Sequence, residues 1–485
     1  MKKILTSIFV LGILVSFTGC PKTEGKDLSK TTTDSNITSI QVGGIVNSSK
    51  DGSKKKTETK KEEKEILESG IEWTQAKSLK EAFVDTGYFE RFGIACETPE
   101  IGLKTTAAGI AYHANSVTAG NEFKPQFTFW YPKPPIGDTF TDSTGKTITV
   151  PKKIDFAAKM DPYLKAVHNA GLQMRGHVLV WHSQTHEWFF TKDYEDEVKV
   201  DANGVPTNLA DKETMTARQE WYIKSVLEHV AQWEEKNGYA GSKTEKESGK
   251  KHLVYCWDVV NEACADDATK TNFLRGSTPN TKNKGPSDGG SRWFQVYGDE
   301  TFIVNAFRFA NAYAPKDVQL VYNDYNCYLE WNQGWKTSAI KSLVKAIENA
   351  PAKTVNGKSV KPRLDVLGMQ SHVGETYPTL AGYETAVKTL LGLGYDIHVT
   401  EFDIASKKKV DEKLFANYFK LFMKYSKSKG TTINGHGITS VTVWGINDEN
   451  SWISKGGSQY PLLFTKKNGK YYTKDCFTAI TNLTK

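Results

Sequence analysis

The fold class follows from a short pattern, Trp257-Asp258-Val259-Val260-Asn261-Glu262-Ala263. An apolar, β-branched run ends there in an amide and a carboxylate, as in a buried parallel strand whose carboxyl end carries polar side chains. Similar runs recur along the chain, with enough residues between them for a helix. They predict eight strands: Phe92–Cys96, Asn115–Thr118, Leu172–Val180, Val254–Val260, Val318–Tyr322, Leu364–Met369, Ile397–Thr400 and Ile438–Trp444.

Amphipathic patterns between the strands predict helical crossovers. An α/β fold with eight strands favours a closed (β/α)₈ TIM barrel with enlarged loops. A doubly wound open sheet is the alternative, and the lack of a GxGxxG motif after the first strand argues against it. Examples of these predicted helices are Thr214–Glu235, Asp299–Ala312, Trp335–Asn349, Leu380–Leu391 and Asp411–Lys427.

Glu262 and Glu401 follow strands four and seven, which face each other across the mouth of a barrel. A single glutamate at a strand end is more often a surface or salt-bridged group. Two opposed carboxylates suit cleavage of a glycosidic bond, because one can attack the anomeric carbon while the other protonates the leaving oxygen. His372, held by Asp403, could donate to a carboxylate nucleophile and keep it ionised. We therefore assign Glu401 as nucleophile and Glu262, beside Asn261, as acid/base.

These motifs resemble one enzyme family. Residues 175–182 (RGHVLVWH), 257–263 (WDVVNEA) and 400–404 (TEFDI) look like the endo-β-1,4-xylanases of glycoside hydrolase family 10. The resemblance covers roughly residues 75–485 and implies a barrel with a retaining mechanism and the same two roles. Further matches occur in the same chain order: residues 121–124, 322–326, 370–372 and Trp444.

The resemblance also implies a set of substrate-binding residues. These are Asn121, Lys124 and Trp444 on the non-reducing side, His182, Asn261, Gln370 and His372 around the sugar at the cleavage point, Tyr325 on the reducing side, and Trp452 over the site. Asp403 would hold the His372 ring on the side away from the sugar.

The chain departs from the family pattern at Gly120, since a glutamate is common immediately before the Asn-Glu pair. This departure leaves open one hydroxyl contact at the second sugar. Trp188 either belongs to the site or packs structurally. Residues 126–153, 238–252 and 267–292 exceed the compact form of the family, and they either extend the cleft or decorate the surface.

Composition excludes several classes of protein. The 485 residues are 38% hydrophobic and 25% charged, which supports a large core and excludes wholesale disorder. The net charge is +7, but the first 65 residues hold twelve lysines against eight acidic residues, so the remaining chain is nearly neutral. A nearly neutral chain argues against a nucleic-acid-binding surface, which would need a concentrated basic face. The 12 Trp, 21 Tyr and 23 Phe suit both cores and sugar-binding clefts. Six widely spaced cysteines predict mostly buried thiols and no zinc site, with one disulfide left open.

Residues 1–20 predict a lipoprotein signal peptide. Lys2-Lys3 precede an apolar run, Ile4–Phe17, and Thr18-Gly19-Cys20 resembles a bacterial lipobox, which implies lipidation of Cys20. A plain signal peptide is the alternative. Residues 21–70, rich in Lys, Thr, Ser and Glu, predict a solvated tether before a catalytic domain at 71–485. We expect an exported protein, lipid-anchored at the bacterial cell envelope or surface.

The sequence thus predicts a retaining endo-β-1,4-xylanase that hydrolyses internal bonds of xylan or xylo-oligosaccharides as a monomer, without metal or cofactor. A cellulase-like β-1,4-glucanase is one alternative, and it would need room for a hydroxymethyl group at the second sugar. A non-catalytic glycan-binding lipoprotein is another, and it would not need two opposed carboxylates.

Overall fold

The computed structural model describes residues 70–128, 133–152, 154–268, 273–329, 331–406, 412–454 and 459–485, without the side chains of 331–335. The signal, Cys20 and the tether up to residue 69 lie outside the described residues. Eight parallel strands pair in chain order and close into a barrel, because the first strand pairs with the last. They are β1 Arg91–Cys96, β2 Ser116–Ala119, β3 Gln173–Trp181, β4 Val254–Asn261, β5 Gln319–Asp324, β6 Val366–Met369, β7 Asp396–Ala405 and β8 Ile438–Val443.

A helix follows each barrel strand. The predicted barrel is therefore confirmed, and the open-sheet alternative is wrong. The eight helices are α1 Lys104–His113, α2 Met160–Asn169, α3 Lys212–Lys236, α4 Thr301–Tyr313, α5 Trp331–Asn349, α6 Leu380–Leu391, α7 Glu412–Lys424 and α8 Asp475–Thr481. Smaller elements are the helical segments Thr98–Ile101, Pro125–Thr128, Glu245–Ser248 and Arg292–Tyr297, and three hairpins formed by Ile136–Thr141 with Thr147–Pro151, Lys353–Val355 with Lys358–Val360, and Phe464–Lys467 with Lys470–Thr473.

Helix α7 illustrates how the outer layer packs. Phe415, Phe419 and Phe422 recur at helical spacing on its buried face. Their rings contact Phe402, which is fully buried on β7, at centroid distances of 5.3–6.0 Å. Burial of each such ring contributes roughly 1.5–3 kcal/mol, so this face fixes the helix against the strand.

Backbone hydrogen bonds link the carboxyl ends of four neighbouring strands, β4 to β7. The amide of Glu262 donates to the carbonyl of Asn323 at 2.9 Å, and the amide of Gln370 donates to that of Asp324 at 2.9 Å. The amide of Glu401 then donates to the carbonyl of Gln370 at 3.0 Å. Glu262 and Gln370, just beyond β4 and β6, and Glu401, within β7, are therefore each held by a backbone hydrogen bond to a neighbouring strand.

Strand β6 is interrupted at the mouth. Ser371 has a φ of +65°, a conformation that bends the chain, and a short strand, His372–Gly374, then pairs in parallel with the second half of β7. This register places His372 directly beside Asp403.

The three insertions lie in different places. Residues 126–153 include the first hairpin, whose turn residue Ser143 donates its backbone amide to the buried carboxylate of Glu220 on α3 at 3.0 Å. Residues 238–252 join α3 to the start of β4, at the end of the barrel opposite the mouth. Residues 267–292 follow β4 on the mouth side. Residues 129–132, 153 and 269–272 of these insertions lie outside the described residues.

The five cysteines of the barrel are free and buried, as predicted: Cys96, Cys256, Cys264, Cys327 and Cys476. Trp188 is 5% exposed and packs against Tyr194, so its position is structural. Across the described ranges, no helix combines the length and apolar character needed to cross a membrane.

Candidate active site

Glu401 lies at the mouth in the middle of β7 and is 4% exposed. One carboxylate oxygen accepts a hydrogen bond from Asn323 Nδ2 at 2.7 Å, and the other is 3.2 Å from His372 Nε2. Burial by itself would raise the pKa of Glu401, but the His372 hydrogen bond and the charge of His177 outweigh burial and lower it. Glu401 is therefore held as a carboxylate.

His372 lies between two carboxylates. Its Nδ1 is 2.9 Å from Asp403 Oδ1, opposite the contact to Glu401. Burial would lower the pKa of His372, yet the charges and hydrogen bonds of Asp403 and Glu401 outweigh burial and raise it to about 10. At neutral pH the ring is an imidazolium that donates to both Asp403 and Glu401.

Glu262 immediately follows β4 and is 6% exposed. Its φ of +57° is unusual for a residue with a Cβ, and this left-handed conformation occurs here at a polar site. Oε2 accepts from Trp181 Nε1 at 2.9 Å, and Oε1 accepts from Gln370 Nε2 at 2.9 Å and Asn261 Nδ2 at 3.2 Å. These three donors fix the carboxyl group in the mouth.

Two buried amides link the two glutamates. Asn323 Nδ2 donates to Glu401 and also to Asn261 Oδ1 at 2.9 Å, while the Asn261 amide nitrogen donates to Glu262. Thr400 Oγ1 donates to Asn323 Oδ1 at 2.7 Å and so fixes the amide orientation. Trp181 and Asn323 were not among the predicted site residues, although both lie in strand-end segments that the motifs cover.

His182 faces the same space with an unsatisfied nitrogen. Its Nδ1 is buried, has no hydrogen-bond partner among the described residues, and lies 3.8 Å from Glu262 Oε2. Burial, with the positive charges of Arg275 and Lys336, lowers the pKa of His182 well below its ordinary value. A neutral ring with a free polar atom is suited to bind a hydroxyl group.

Asn121 and Lys124 form one flank of the mouth. Lys124 Nζ donates to Asn121 Oδ1 at 3.1 Å and lies 5.2 Å from the centre of the Trp181 ring, in a cation–π contact. Burial lowers the pKa of Lys124, although the charges of Glu401 and Glu262 act in the opposite direction. The structure thus connects Lys124 to both glutamates.

Tyr325 forms the other flank. Its hydroxyl accepts from an Arg275 guanidinium nitrogen at 2.6 Å, and Lys336 Nζ lies 4.5 Å from its ring centre. Arg275 Nε also donates to the backbone carbonyl of Glu262 at 2.8 Å. The insertion after β4 therefore reaches the site through Arg275, a contact that sequence reasoning missed because the insertion has no recognisable register.

Two tryptophans complete the mouth above His372. The Trp444 ring is 6.4 Å from the His372 ring, and the Trp452 ring is 4.9 Å from it, edge to face. Trp452 is 39% exposed, and its Nε1 donates to Asp403 Oδ2 at 2.8 Å. Asp403 therefore holds both His372 and Trp452, and all of the predicted site residues of the barrel lie in one cleft.

A buried polar cluster supports the site from inside the barrel. Arg175 Nε donates to Asp258 Oδ2 at 2.8 Å, and His177 Nδ1 is 2.8 Å from the same oxygen. Burial would raise the pKa of Asp258, but Arg175 and His177 outweigh burial and lower it. This cluster explains why Arg175 and His177, two positions apart, occur within an otherwise apolar strand.

The described residues contain no group of three or more His, Cys, Asp or Glu arranged to hold a metal ion.

A sequence profile of glycosyl hydrolase family 10 matches residues 78–483. The chain belongs to this family.

Curated relatives agree with this assignment. Endo-1,4-beta-xylanase Y of Acetivibrio thermocellus is 30% identical over 425 residues, which cover 87% of this chain and 33% of the relative. Endo-1,4-beta-xylanase B of Butyrivibrio fibrisolvens is 30% identical over 407 residues, covering 81% of this chain and 52% of that protein. The chain thus spans about a third to a half of the length of these relatives.

Solved structures show the same barrel. The CBM22-1 and GH10 modules of a Clostridium thermocellum endo-1,4-beta-D-xylanase, complexed with xylohexaose, match with a TM-score of 0.63 at 27% identity, over 84% of this chain and 68% of that one. An endo-1,4-beta-xylanase from Caldicellulosiruptor owensensis matches with a TM-score of 0.57 at 24% identity, over 84% of this chain and 100% of that one, and shows the fold alone.

Proposed function

We propose that this family 10 member is a retaining endo-β-1,4-xylanase. The observation that carries the proposal is the pairing of Glu262 with a Glu401 that His372 keeps ionised, at opposite sides of one polar cleft. A carboxylate held ionised in a buried site is suited to be a nucleophile, and a second carboxyl group beside it is suited to transfer protons.

In the first step, a Glu401 oxygen attacks the anomeric carbon of the sugar at the cleavage point. The bond from this carbon to the leaving oxygen breaks, and Glu262 gives its proton to that oxygen. His182, Asn261 and Gln370 are positioned to bind the hydroxyl groups of the reacting sugar, while the amide of Asn323 holds Glu401 in line.

In the second step, Glu262 removes a proton from water, and the resulting oxygen attacks the same carbon from the opposite face. The ester bond to Glu401 breaks and restores the carboxylate, so the sugar leaves with its original configuration. The imidazolium of His372 stabilises Glu401 as a leaving group because it donates to the returning charge.

Xylan is the proposed substrate class, with cleavage at internal bonds. The relatives are named as endo-1,4-beta-xylanases, and one matching structure holds xylohexaose. Cleavage of an internal bond needs contacts to the sugars on both sides of that bond. The family resemblance assigns Asn121 and Lys124 to the non-reducing side and Tyr325 to the reducing side.

Hydrolysis of xylan, cellulose and mixed-linkage glucan tests the proposal, with product sizes and the initial anomeric configuration followed by NMR. We expect internal cleavage of xylan with retention, and a loss of at least about 10³-fold in kcat for Glu401→Ala with the fold unchanged. Glu228→Ala, which removes an exposed carboxylate on α3, is the matched control. Faster cleavage of cellulose would favour a glucanase, inversion would exclude the nucleophile role, and binding without turnover would favour a glycan-binding protein.

We also propose that the protein is exported and held at the bacterial envelope by lipid on Cys20, and that it acts as a monomer. The basic, apolar and Thr18-Gly19-Cys20 segments support the anchor. One acyl chain binds a membrane only marginally, so a stable anchor needs more than one. Cys20→Ala should move the protein from the membrane to the soluble fraction, and light scattering should give the mass of one chain. Membrane retention of the variant would exclude the anchor, and a larger mass would exclude the monomer.

A further inference from the structure

The end of β2 has a space where a side chain is missing. Gly120 follows this strand and precedes Asn121. A Cβ atom at position 120 would lie 3.0 Å from Cγ of Glu97 and 3.3 Å from its Oε1. The carboxylate of Glu97, which comes from the end of β1, thus occupies the volume next to Gly120.

Contacts connect Glu97 to the catalytic residues. Glu97 Oε1 accepts from Asn121 Nδ2 at 2.5 Å, while Lys124 Nζ donates to the other end of the same amide. Lys124 lies over Trp181, whose indole nitrogen donates to Glu262. Glu97 is therefore the outer member of a chain of contacts that begins at the proposed acid/base and runs along one flank of the cleft.

Glu97 differs in its bonding from its acidic neighbour. Glu122 is 5% exposed and uses both oxygens within the protein, since Oε1 accepts from the amide and hydroxyl of Thr98 and Oε2 accepts from the amide of Asn121. The side chain of Glu97 is exposed, and besides the bond from Asn121 it belongs to a capping box at the start of the helical segment Thr98–Ile101, in which a Glu100 oxygen accepts from the backbone amide of Glu97 at 2.9 Å. Partial burial and the like charge of Glu122 raise the pKa of Glu97. An acceptor in this environment is stabilised when a hydroxyl group donates to it.

We propose that Glu97 is a specificity-determining residue whose exposed carboxylate accepts a hydrogen bond from the second sugar on the Asn121–Lys124 side of the cleavage point. This inference rests on the proposed function. The Glu97 carboxylate lies in the volume that a side chain at position 120 would need, so Glu97 and Gly120 are considered together.

Two aryl glycosides distinguish binding of the second sugar by Glu97 from a general effect of Glu97 on the active site. An aryl β-xyloside reaches only the sugar site at the cleavage point, whereas an aryl β-xylobioside also reaches the second. We expect Glu97→Ala to lower kcat/KM on the xylobioside by about 10- to 100-fold, as for loss of a hydrogen bond to a charged group, and to leave the xyloside within twofold. The double variant Glu97→Ala/Gly120→Glu should recover most of the loss, because it returns a carboxylate to the same space from β2.

Glu97→Gln separates sugar binding from support of Asn121. The glutamine oxygen can still accept from Asn121, so wild-type kinetics in this variant would overturn the proposal and leave a positioning role only. Equal losses on both substrates for Glu97→Ala would also overturn it. Binding of xylotriose by calorimetry in the Glu401→Ala background gives the same comparison without turnover, with Glu228→Ala as the control. The xylanase proposal fails separately, if the wild type does not turn over the xylobioside.

Discussion

At the scale of single residues, the site depends on one charged ring. His372 is cationic because Asp403 and Glu401 lie on either side of it, and its charge in turn keeps Glu401 ionised inside a buried cleft. Trp452 shares Asp403 with this ring, so the residue that covers the site also contacts the group that supports the nucleophile. These four side chains, Glu401, His372, Asp403 and Trp452, act as one unit, and substitutions among them should not be additive.

His372→Asn tests this unit through the pH dependence of kcat/KM. Glu401 must be ionised, and its folded pKa is depressed, so activity is retained at low pH until that pKa is reached. Removing the imidazolium raises the pKa of Glu401, and the acidic limb should move up by about 1–2 pH units while the maximum falls by about 10- to 100-fold. Asp403 keeps its bond to Trp452 in this variant. His168→Asn, on α2 away from the cleft, is the control. An unmoved acidic limb would mean that Asn323 and the barrel interior alone keep Glu401 ionised.

Residue identity was predictable where chemistry and strand position coincide. Glu262, Glu401, His372 and Asp403 each follow or end an apolar strand, and the structure brings them together. Asn323 was not predicted, since a sequence does not show which amide of the segment Tyr322–Asn326 points inward. Glu97 was not predicted for a similar reason. Its proposed role depends on the missing side chain at Gly120, 23 residues further along the chain.

At the scale of elements, all eight predicted strands were confirmed, with ends that differ by at most a few residues except on β7. That strand continues through the polar stretch to Ala405, because it pairs with β6 and then with the short strand that begins at His372. Helices α1, α2 and α8 were not among the helices named from the sequence, and α1 is hard to recognise because Ala, Gly and Thr give it little amphipathic pattern. Its Gly109 is needed for packing, since a Cβ there would lie 1.9 Å from the Trp73 ring.

The insertion at 238–252 carries an ion cluster that predicts a pH-dependent stability. His252 Nδ1 is 2.8 Å from Glu234 on α3, and its Nε2 is 3.3 Å from Asp317 before β5. Glu234 also accepts from the amides of Leu253 and Val254 at the start of β4. Burial would lower the pKa of His252, but the two carboxylates outweigh burial and raise it. The cluster thus ties α3, β4 and the loop before β5 together at the base of the barrel.

His252→Gln should reduce stability most at low pH. Because the folded pKa is raised, the stabilisation is fully present below the ordinary histidine pKa of ~6.5 and is lost as pH rises through the folded pKa. We expect a loss at the lower end of ~3–5 kcal/mol near pH 6, since Asp317 is partly exposed, and a smaller loss at alkaline pH. Calorimetric Tm values from pH 5.5 to 9 measure the difference, with His229→Gln, on the outer face of α3, as the control. A difference in Tm that does not change with pH would contradict a charged His252.

At the scale of the whole molecule, the proposed catalytic and anchoring roles belong to separate parts of the chain. The closed barrel contains every predicted catalytic and substrate-binding residue, and more than half of the net charge of +7 belongs to the first 65 residues. The family profile begins at residue 78, yet the structure packs earlier residues into the barrel. The amide of Thr473 donates to the carbonyl of Ile71 at 2.9 Å, and Trp73 is 4% exposed against Tyr471 and Phe464.

Two truncations locate the true start of the catalytic unit. A protein of residues 70–485 should fold and keep kcat/KM on xylo-oligosaccharides within about twofold of the full chain, because it retains Trp73 and the pairing with the last hairpin. A protein of residues 78–485 matches the family profile but loses Trp73, and we expect a cost of about 3–5 kcal/mol from the cavity between Gly109 and Tyr471. Trp73→Ala in the longer protein is the matched control and should reproduce most of that loss. Equal Tm values for the two truncations would contradict the role of Trp73, and failure of residues 70–485 to fold would show that the barrel needs the segment before Gly70.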